Sequence, residues 1–265
     1  MSSDIQIKNR IDDLFNTKKD DILNVYFTAG FPGHEDTATV AEYLQEAGAD
    51  IIEIGIPFSD PVADGPTIQE SNLHALEQGM TLHKLVDQLR GIRQKVNIPI
   101  ILMGYMNPVM QYGVEEFCKA CEEIGIDGLI LPDLPLQEYL DHFQDTFRSH
   151  GLHNIFLISP QTSEERVRAI DQHSKGFIYM VSSASITGAK KGISEEQIAY
   201  FKRINDMQLS NPRLIGFGIS DNKSYSQACE YASGAIIGSA FINTLRDSKD
   251  LRGDITSFIH SVKGK

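Results

Sequence analysis

Eight short runs of β-branched and apolar residues, each followed by a segment long enough for a helix, constrain this chain more than any other feature. They fall at 23–28, 51–54, 98–103, 128–131, 154–158, 177–181, 213–217 and 234–237. Nearly continuous apolar strands are buried on both faces, as in a parallel sheet covered by helices. Six such units would suit an open doubly wound sheet. Eight units in 265 residues fit a closed barrel better, since that fold uses about 250 residues in one domain. The expected class is α/β, a (β/α)8 TIM barrel over 1–265 with an extra N-terminal helix. That extra helix is read at 5–15, where Ile7, Ile11, Leu14 and Phe15 share one side. Further helices are predicted at 36–47, 67–78, 82–95, 114–124 and 137–149, and Ser163 and Ser194 open two more. The chain ends in a helix carrying Ile255, Phe258, Ile259 and Val262 at helical spacing.

The second run breaks the apolar pattern. It carries Glu53, and the loop after it holds Asp60 and Asp64 among Pro57, Pro61, Gly65 and Pro66. Alternation along a strand puts Ile51, Glu53 and Gly55 on one face and Ile52 and Ile54 on the other. An ionised carboxylate inside a central strand is costly without compensation. Such breaks of local rules cluster at functional sites, although a buried ion pair would also explain one. In a barrel of this kind the chemistry lies at the carboxyl ends of the strands. Glu53 ends strand two and Asp64 follows it.

The loops after the seventh and eighth runs are the expected phosphate site of such a barrel. They read Gly216-Phe217-Gly218 and Gly238-Ser239. Glycine admits an anion close to the backbone, and a helix N-terminus offers free N–H groups. The net charge of −12 argues against a nucleic-acid backbone as partner and leaves any phosphate to local N–H groups. No apolar run is long enough to span a membrane. The N-terminus lacks a basic n-region and an apolar h-region, so the expected location is the cytoplasm. Cys118 and Cys121 form a C-x-x-C inside a predicted helix with no second pair, and no H-E-x-x-H occurs, so no metal is expected. Lys190 and Lys191 lie in a polar loop and read as solvated charge. The residues thus predict cofactor-free proton transfer on a phosphorylated small molecule. A sugar-phosphate isomerase and a non-catalytic binding subunit share parts of this pattern and stay open on residues alone.

The stretch Glu53-x-Gly55-x-Pro57-Phe58-Ser59-Asp60-Pro61-x-Ala63-Asp64-Gly65-Pro66-x-Ile68-Gln69 resembles the signature of the tryptophan synthase α subunit family, and the likeness extends over essentially the whole chain. The resemblance implies retro-aldol cleavage of indole-3-glycerol phosphate to indole and glyceraldehyde 3-phosphate. It makes Glu53 and Asp64 catalytic. It assigns Gly188, Gly218, Gly238 and Ser239 to the phosphate, and Tyr26, Met103, Ile130, Tyr179 and Phe217 to the indole slot. Tyr105 and Thr187 border that site, and loops 57–68 and 182–192 are its lids. Ser183 and Ser185 stand where many relatives carry arginine and glycine. The resemblance also implies an α2β2 assembly, contacted through 105–109, Asp60 and Pro135. Indole would pass to a β subunit that carries the pyridoxal phosphate, leaving this chain without a cofactor.

Overall fold

All eight predicted runs enter one parallel sheet that curls back on itself. The structure, a computed structural model, describes residues 9–61, 64–181, 194–216 and 218–265. Its strands are β1 (Ile22–Thr28), β2 (Ile51–Gly55), β3 (Ile100–Met103), β4 (Gly128–Ile130), β5 (His153–Ile155), β6 (Leu157–Ile158), β7 (Ile178–Val181), β8 (Arg213–Gly216) and β9 (Gly234–Ile237). They follow the order β5-β4-β3-β2-β1-β9-β8-β7-β6. β5 and β6 are the two halves of the predicted fifth run, parted at Phe156. One half pairs with β4 and the other with β7. The Phe156 carbonyl accepts from the Tyr179 N–H at 3.0 Å. That interrupted strand therefore closes the ring, and nine strands by count occupy eight places in a TIM barrel.

Helices α1 (Arg10–Thr17), α2 (Thr37–Ala47), α3 (Pro66–Glu77), α4 (Leu82–Leu89), α5 (Met106–Tyr112), α6 (Val114–Ile124), α7 (Leu136–Glu138), α8 (Gln144–Ser149), α9 (Glu164–His173), α10 (Glu195–Asp206), α11 (Asn222–Cys229), α12 (Ser239–Arg246) and α13 (Leu251–Lys263) alternate with the strands. Ser163 and Ser194 cap α9 and α10 as their residue type predicts, and Ser194 forms a capping box with Gln197. Three elements differ from the sequence reading. The 82–95 segment is not one helix: Gly91 takes φ 77° and splits it into α4 and a short 3-10 turn. The stretch opening at Met106, where the sequence predicts no helix, is α5. Its Pro108 falls in the first turn, where the missing N–H has no helical partner to lose. The helix after β4 contains a π turn over Tyr139–Phe143.

α1 seals the amino end of the barrel. Its N-cap Asn9 accepts from the Ile11 N–H, while its amide donates to the carbonyls of Asp127 at 2.7 Å and Gly151 at 2.9 Å. Ile11 is fully buried and lies against Gly128 and Gly176. With one end plugged, chemistry is confined to the other. Residues 5–8 of the predicted helix lie outside the described ones. The C-x-x-C is helix interior as expected: Cys118 and Cys121 are free thiols buried in α6.

Candidate active site

Glu53 is in the third position of β2, 1% exposed. It pairs in register with Tyr26 of β1 and Ile101 of β3. Its Oε2 accepts from the Asn24 amide at 2.6 Å. Its Oε1 has no hydrogen-bond partner among the described residues. Asp64, in the loop before α3, is 4% exposed. The loop is held there by the Asp64 N–H on the Pro61 carbonyl at 3.1 Å and the Gln69 amide on the Asp64 carbonyl at 2.9 Å. Burial pushes the Glu53 carboxyl up to about 8, opposed by the Asn24 hydrogen bond and helped by the Asp64 charge. Burial also raises Asp64, to about 6. Near neutral pH the same end of the barrel therefore holds one carboxyl that is mainly acid and one that is mainly anion.

Two phenols complete the interior. Tyr26 and Tyr179 are both buried, and burial raises both phenols well above their usual range. The fields of Glu53 and Asp64 act on both rings. β2 and β7 are not neighbours in the ring, so the Glu53–Tyr179 influence crosses the barrel lumen. Each ring lies over a glycine of the adjacent strand. A Cβ on Gly55 would sit 2.2 Å from the Tyr26 hydroxyl, and one on Gly216 would sit 2.4 Å from that of Tyr179. The rings can cross those strands only because both positions lack a side chain. Met103 and Ile130 share one register row with Gly55 at the carboxyl ends of β2, β3 and β4, so they line the mouth one level above Glu53. Tyr105, the N-cap of α5, stacks on Phe58 with centroids 5.0 Å apart.

On the far side of the mouth, Gly218 has φ 78° and Gly238 precedes α12. The two helices there differ. Asp221 caps α11 with its own carboxylate, in a capping box with Ser224. Among the described residues no side chain caps α12, which begins at Ser239. Its first-turn N–H groups have no helical acceptors and favour an anion. Gly238 packs on Tyr26 and Ile68, so the anion-seeking helix end adjoins the phenol-lined slot. Among the predicted residues, Glu53, Asp64, Tyr26, Tyr179, Met103, Ile130, Gly218, Gly238 and Ser239 thus gather at one barrel end. Thr187, Gly188 and Phe217, and the predicted lid at 182–192, lie outside the described residues. So do Val62 and Ala63 of the other lid.

Several neighbours of the site were not singled out from sequence. Ile68 stands inside the signature stretch and was legible there. Asn24 is a polar residue in an apolar run, which was also a signal. Thr28 joins Ser71 at 2.6 Å and stands 3.5 Å from the Tyr26 hydroxyl. That link ties α3, and so the Asp64 loop, to β1. Asp133 accepts from the Met106 N–H at 3.0 Å, holding α5 against the loop after β4. Beside this junction Asp60, Asn107 and Pro135 are exposed, and Met110 is one of two large apolar residues more than half exposed among the described ones. No group of three or more metal-binding side chains occurs among the described residues.

Residues 13–263 match the family model described as tryptophan synthase alpha chain. The chain is 58% identical over 242 residues to the tryptophan synthase alpha chain of Christiangramia forsetii, covering 91% of this chain and 94% of that one. It is similar in structure to tryptophan synthase subunit alpha from Legionella pneumophila, with TM-score 0.87, 35% identity, and coverage of 97% and 98%. It is also similar to a chain of tryptophan synthase from M. tuberculosis in an aminoacrylate-bound form, with TM-score 0.84, 28% identity, and coverage of 96% and 98%.

Proposed function

The chain belongs to the tryptophan synthase alpha chain family, and we propose that Glu53 and Asp64 carry that family's reaction at its barrel mouth. The reaction is a carbon–carbon lyase step, the cleavage of indole-3-glycerol phosphate to indole and glyceraldehyde 3-phosphate. The reading rests on one observation: two buried carboxyls of unequal acidity, one near 8 and one near 6, stand within electrostatic reach of each other and of the buried Tyr26 and Tyr179 phenols at one end of the barrel. The bond from indole C3 to the glycerol chain breaks once C3 is protonated. The Glu53 acid gives its proton to C3, leaving a carboxylate and a cationic indole ring. That carboxylate takes the proton of the 3′-hydroxyl as the carbon–carbon bond opens. The bond's electrons return to the ring nitrogen, giving indole, an aldehyde and a restored Glu53 acid. The Asp64 carboxylate accepts from the indole N–H and stabilises the charge as it develops. Gly218, Gly238 and Ser239 hold the phosphate at the start of α12, and the family resemblance assigns Gly188 to the same group. Met103, Ile130, Tyr26 and Tyr179 enclose the ring. Residues 1–265 act as one catalytic domain with no cofactor of its own.

Chains of this family work with a beta subunit. We place that partner against the surface formed by the exposed Asp60, Asn107, Met110 and Pro135 and the half-buried Met106. The proposed assembly is α2β2, with pyridoxal phosphate in the partner. No helix among the described residues is long and apolar enough to cross a membrane, and the proposed location is the cytoplasm.

Indole release by the purified chain, alone and with a beta subunit, tests this reading. Slow release that rises with the partner is expected, and no indole under either condition would overturn it. Asp64→Asn should lower turnover by on the order of 10²-fold, since it removes one stabilising charge. The pH profile gives a second check. Asp64 must be a carboxylate, so activity falls as pH drops through about 6. Glu53 must hold its proton, so activity falls as pH rises through about 8. A bell-shaped profile of kcat/KM with those limbs is expected. A profile still climbing beyond about pH 9 would remove Glu53 as the donor.

A further inference from the structure

Asn24 is fully buried in β1. It lies on the same face as Tyr26, two residues on, and its register partners on the flanking strands are Ile51 and Ile236. A β-branched apolar residue would complete that row. Instead the chain places an amide there, and the amide is half used. Its Nδ2 donates to Glu53 Oε2 at 2.6 Å, while its Oδ1 has no partner among the described residues. A buried amide oxygen left unpaired is unfavourable. Local rules are broken in this way chiefly where function requires it.

Resting on the proposed roles of Glu53, we infer that Asn24 is a positioning residue for the cleavage reaction, fixing which oxygen of Glu53 carries the transferable proton. A hydrogen-bond donor held on Oε2 makes that oxygen the acceptor. The proton of the neutral carboxyl then resides on Oε1, the oxygen with no partner among the described residues. After the proton has gone, the same N–H stabilises the carboxylate that must accept from the hydroxyl. The other groups facing Glu53 do not perform this service. Asp64 raises its pKa, and the Tyr26 and Tyr179 phenols are themselves shifted upward and stay neutral. Asn24 is the influence that lowers it. Burial alone would leave a carboxyl that protonates C3 poorly, because it parts with its proton too reluctantly.

The test is a ¹³C NMR titration of the glutamate carboxyls in the full chain, wild type beside Asn24→Val and Asn24→Ser. Valine fills the row and serine is too short to reach Glu53. Both variants should move the Glu53 midpoint upward by about one unit or more. In the indole assay kcat should fall about 10–100-fold with KM within about threefold, and the alkaline limb should follow the midpoint. A residue that only packs would change thermal stability and leave the Glu53 midpoint in place. An unmoved midpoint in either folded variant overturns the inference. The titration needs no turnover, so failure of the wild type to release indole would sink the lyase reading and still leave Asn24's hold on Glu53 judged.

Discussion

Glu53→Gln is expected to lower indole release by on the order of 10²–10⁴-fold and, in the same molecule, to stabilise the fold by about 3 kcal/mol at pH 7. The loss follows from chemistry. Glutamine keeps the size of the side chain and offers Asn24 an amide oxygen, so the hydrogen bond to Nδ2 can persist. It has no proton to give C3 and cannot take one from the hydroxyl. The gain follows from linkage. The glutamate pKa rises from an ordinary 4.5 to about 8 on folding. The folded state therefore binds the proton more tightly than the unfolded chain. Below the unfolded value both states are protonated and burial of the neutral acid carries no such penalty. As pH rises from there to the folded value, the unfolded chain ionises and the native carboxyl does not, so stability falls. Removing the ionisable group removes that fall. Urea denaturation at pH 7 should show the variant more stable, and the difference should shrink towards zero near pH 4, at about the unfolded value. A variant less stable than wild type at pH 7 would mean that Glu53 is not held as a buried acid.

The opposite signs of these two effects bear on what could be read from the chain alone. The site's acid was legible because a lone carboxylate in an isoleucine-rich strand has few explanations, and Asp64 was legible because it follows that strand end in a loop broken by Pro57, Pro61, Gly65 and Pro66. The barrel was legible from the number of apolar runs. Other features depend on register, which no local pattern carries. Tyr26 crosses Gly55 and Tyr179 crosses Gly216 because those pairs meet on adjacent strands. Neither glycine announces this in sequence, where a glycine at a strand end reads as a turn. α5 carries little helix signal in the sequence because it is only 7 residues long and holds Pro108, although a first-turn proline forfeits no helical hydrogen bond. The split of the 82–95 segment turned on Gly91, which a helix tolerates at modest cost unless the chain needs a positive φ there. Asn24 went unread for another reason: its significance lies in an atom on a different strand.

Asp127→Ala should destabilise the chain by roughly 3–5 kcal/mol, because it breaks a buried ion pair and strands the partners left behind. The carboxylate stands just before β4, at the plugged end of the barrel, with its side chain 3% exposed. One oxygen accepts from the Arg10 guanidinium at 3.0 Å. The other accepts from Arg93 at 2.5 Å and from the Ile100 N–H at 2.9 Å. Arg10 begins α1, Arg93 lies in the turn before β3, and Ile100 opens β3. One side chain thus ties the N-terminal plug to two adjacent strands. Arg93, 16% exposed, would be left largely out of water without its counter-charge, and the Ile100 N–H would lose its acceptor. Arg10 is different. Its side chain is 40% exposed, so Arg10→Ala should cost no more than about 1 kcal/mol, as exposed pairs do. Urea denaturation of the two variants measures the contrast. Equal, small losses would show that α1 docks through Ile11 and Asn9 alone. A large loss for Asp127→Ala, with the turnover of the remaining folded protein intact, would show that the two ends of the barrel divide the labour: a charged staple at the amino end supplies stability, and the carboxyl end is left free to hold an acid the fold would be more stable without.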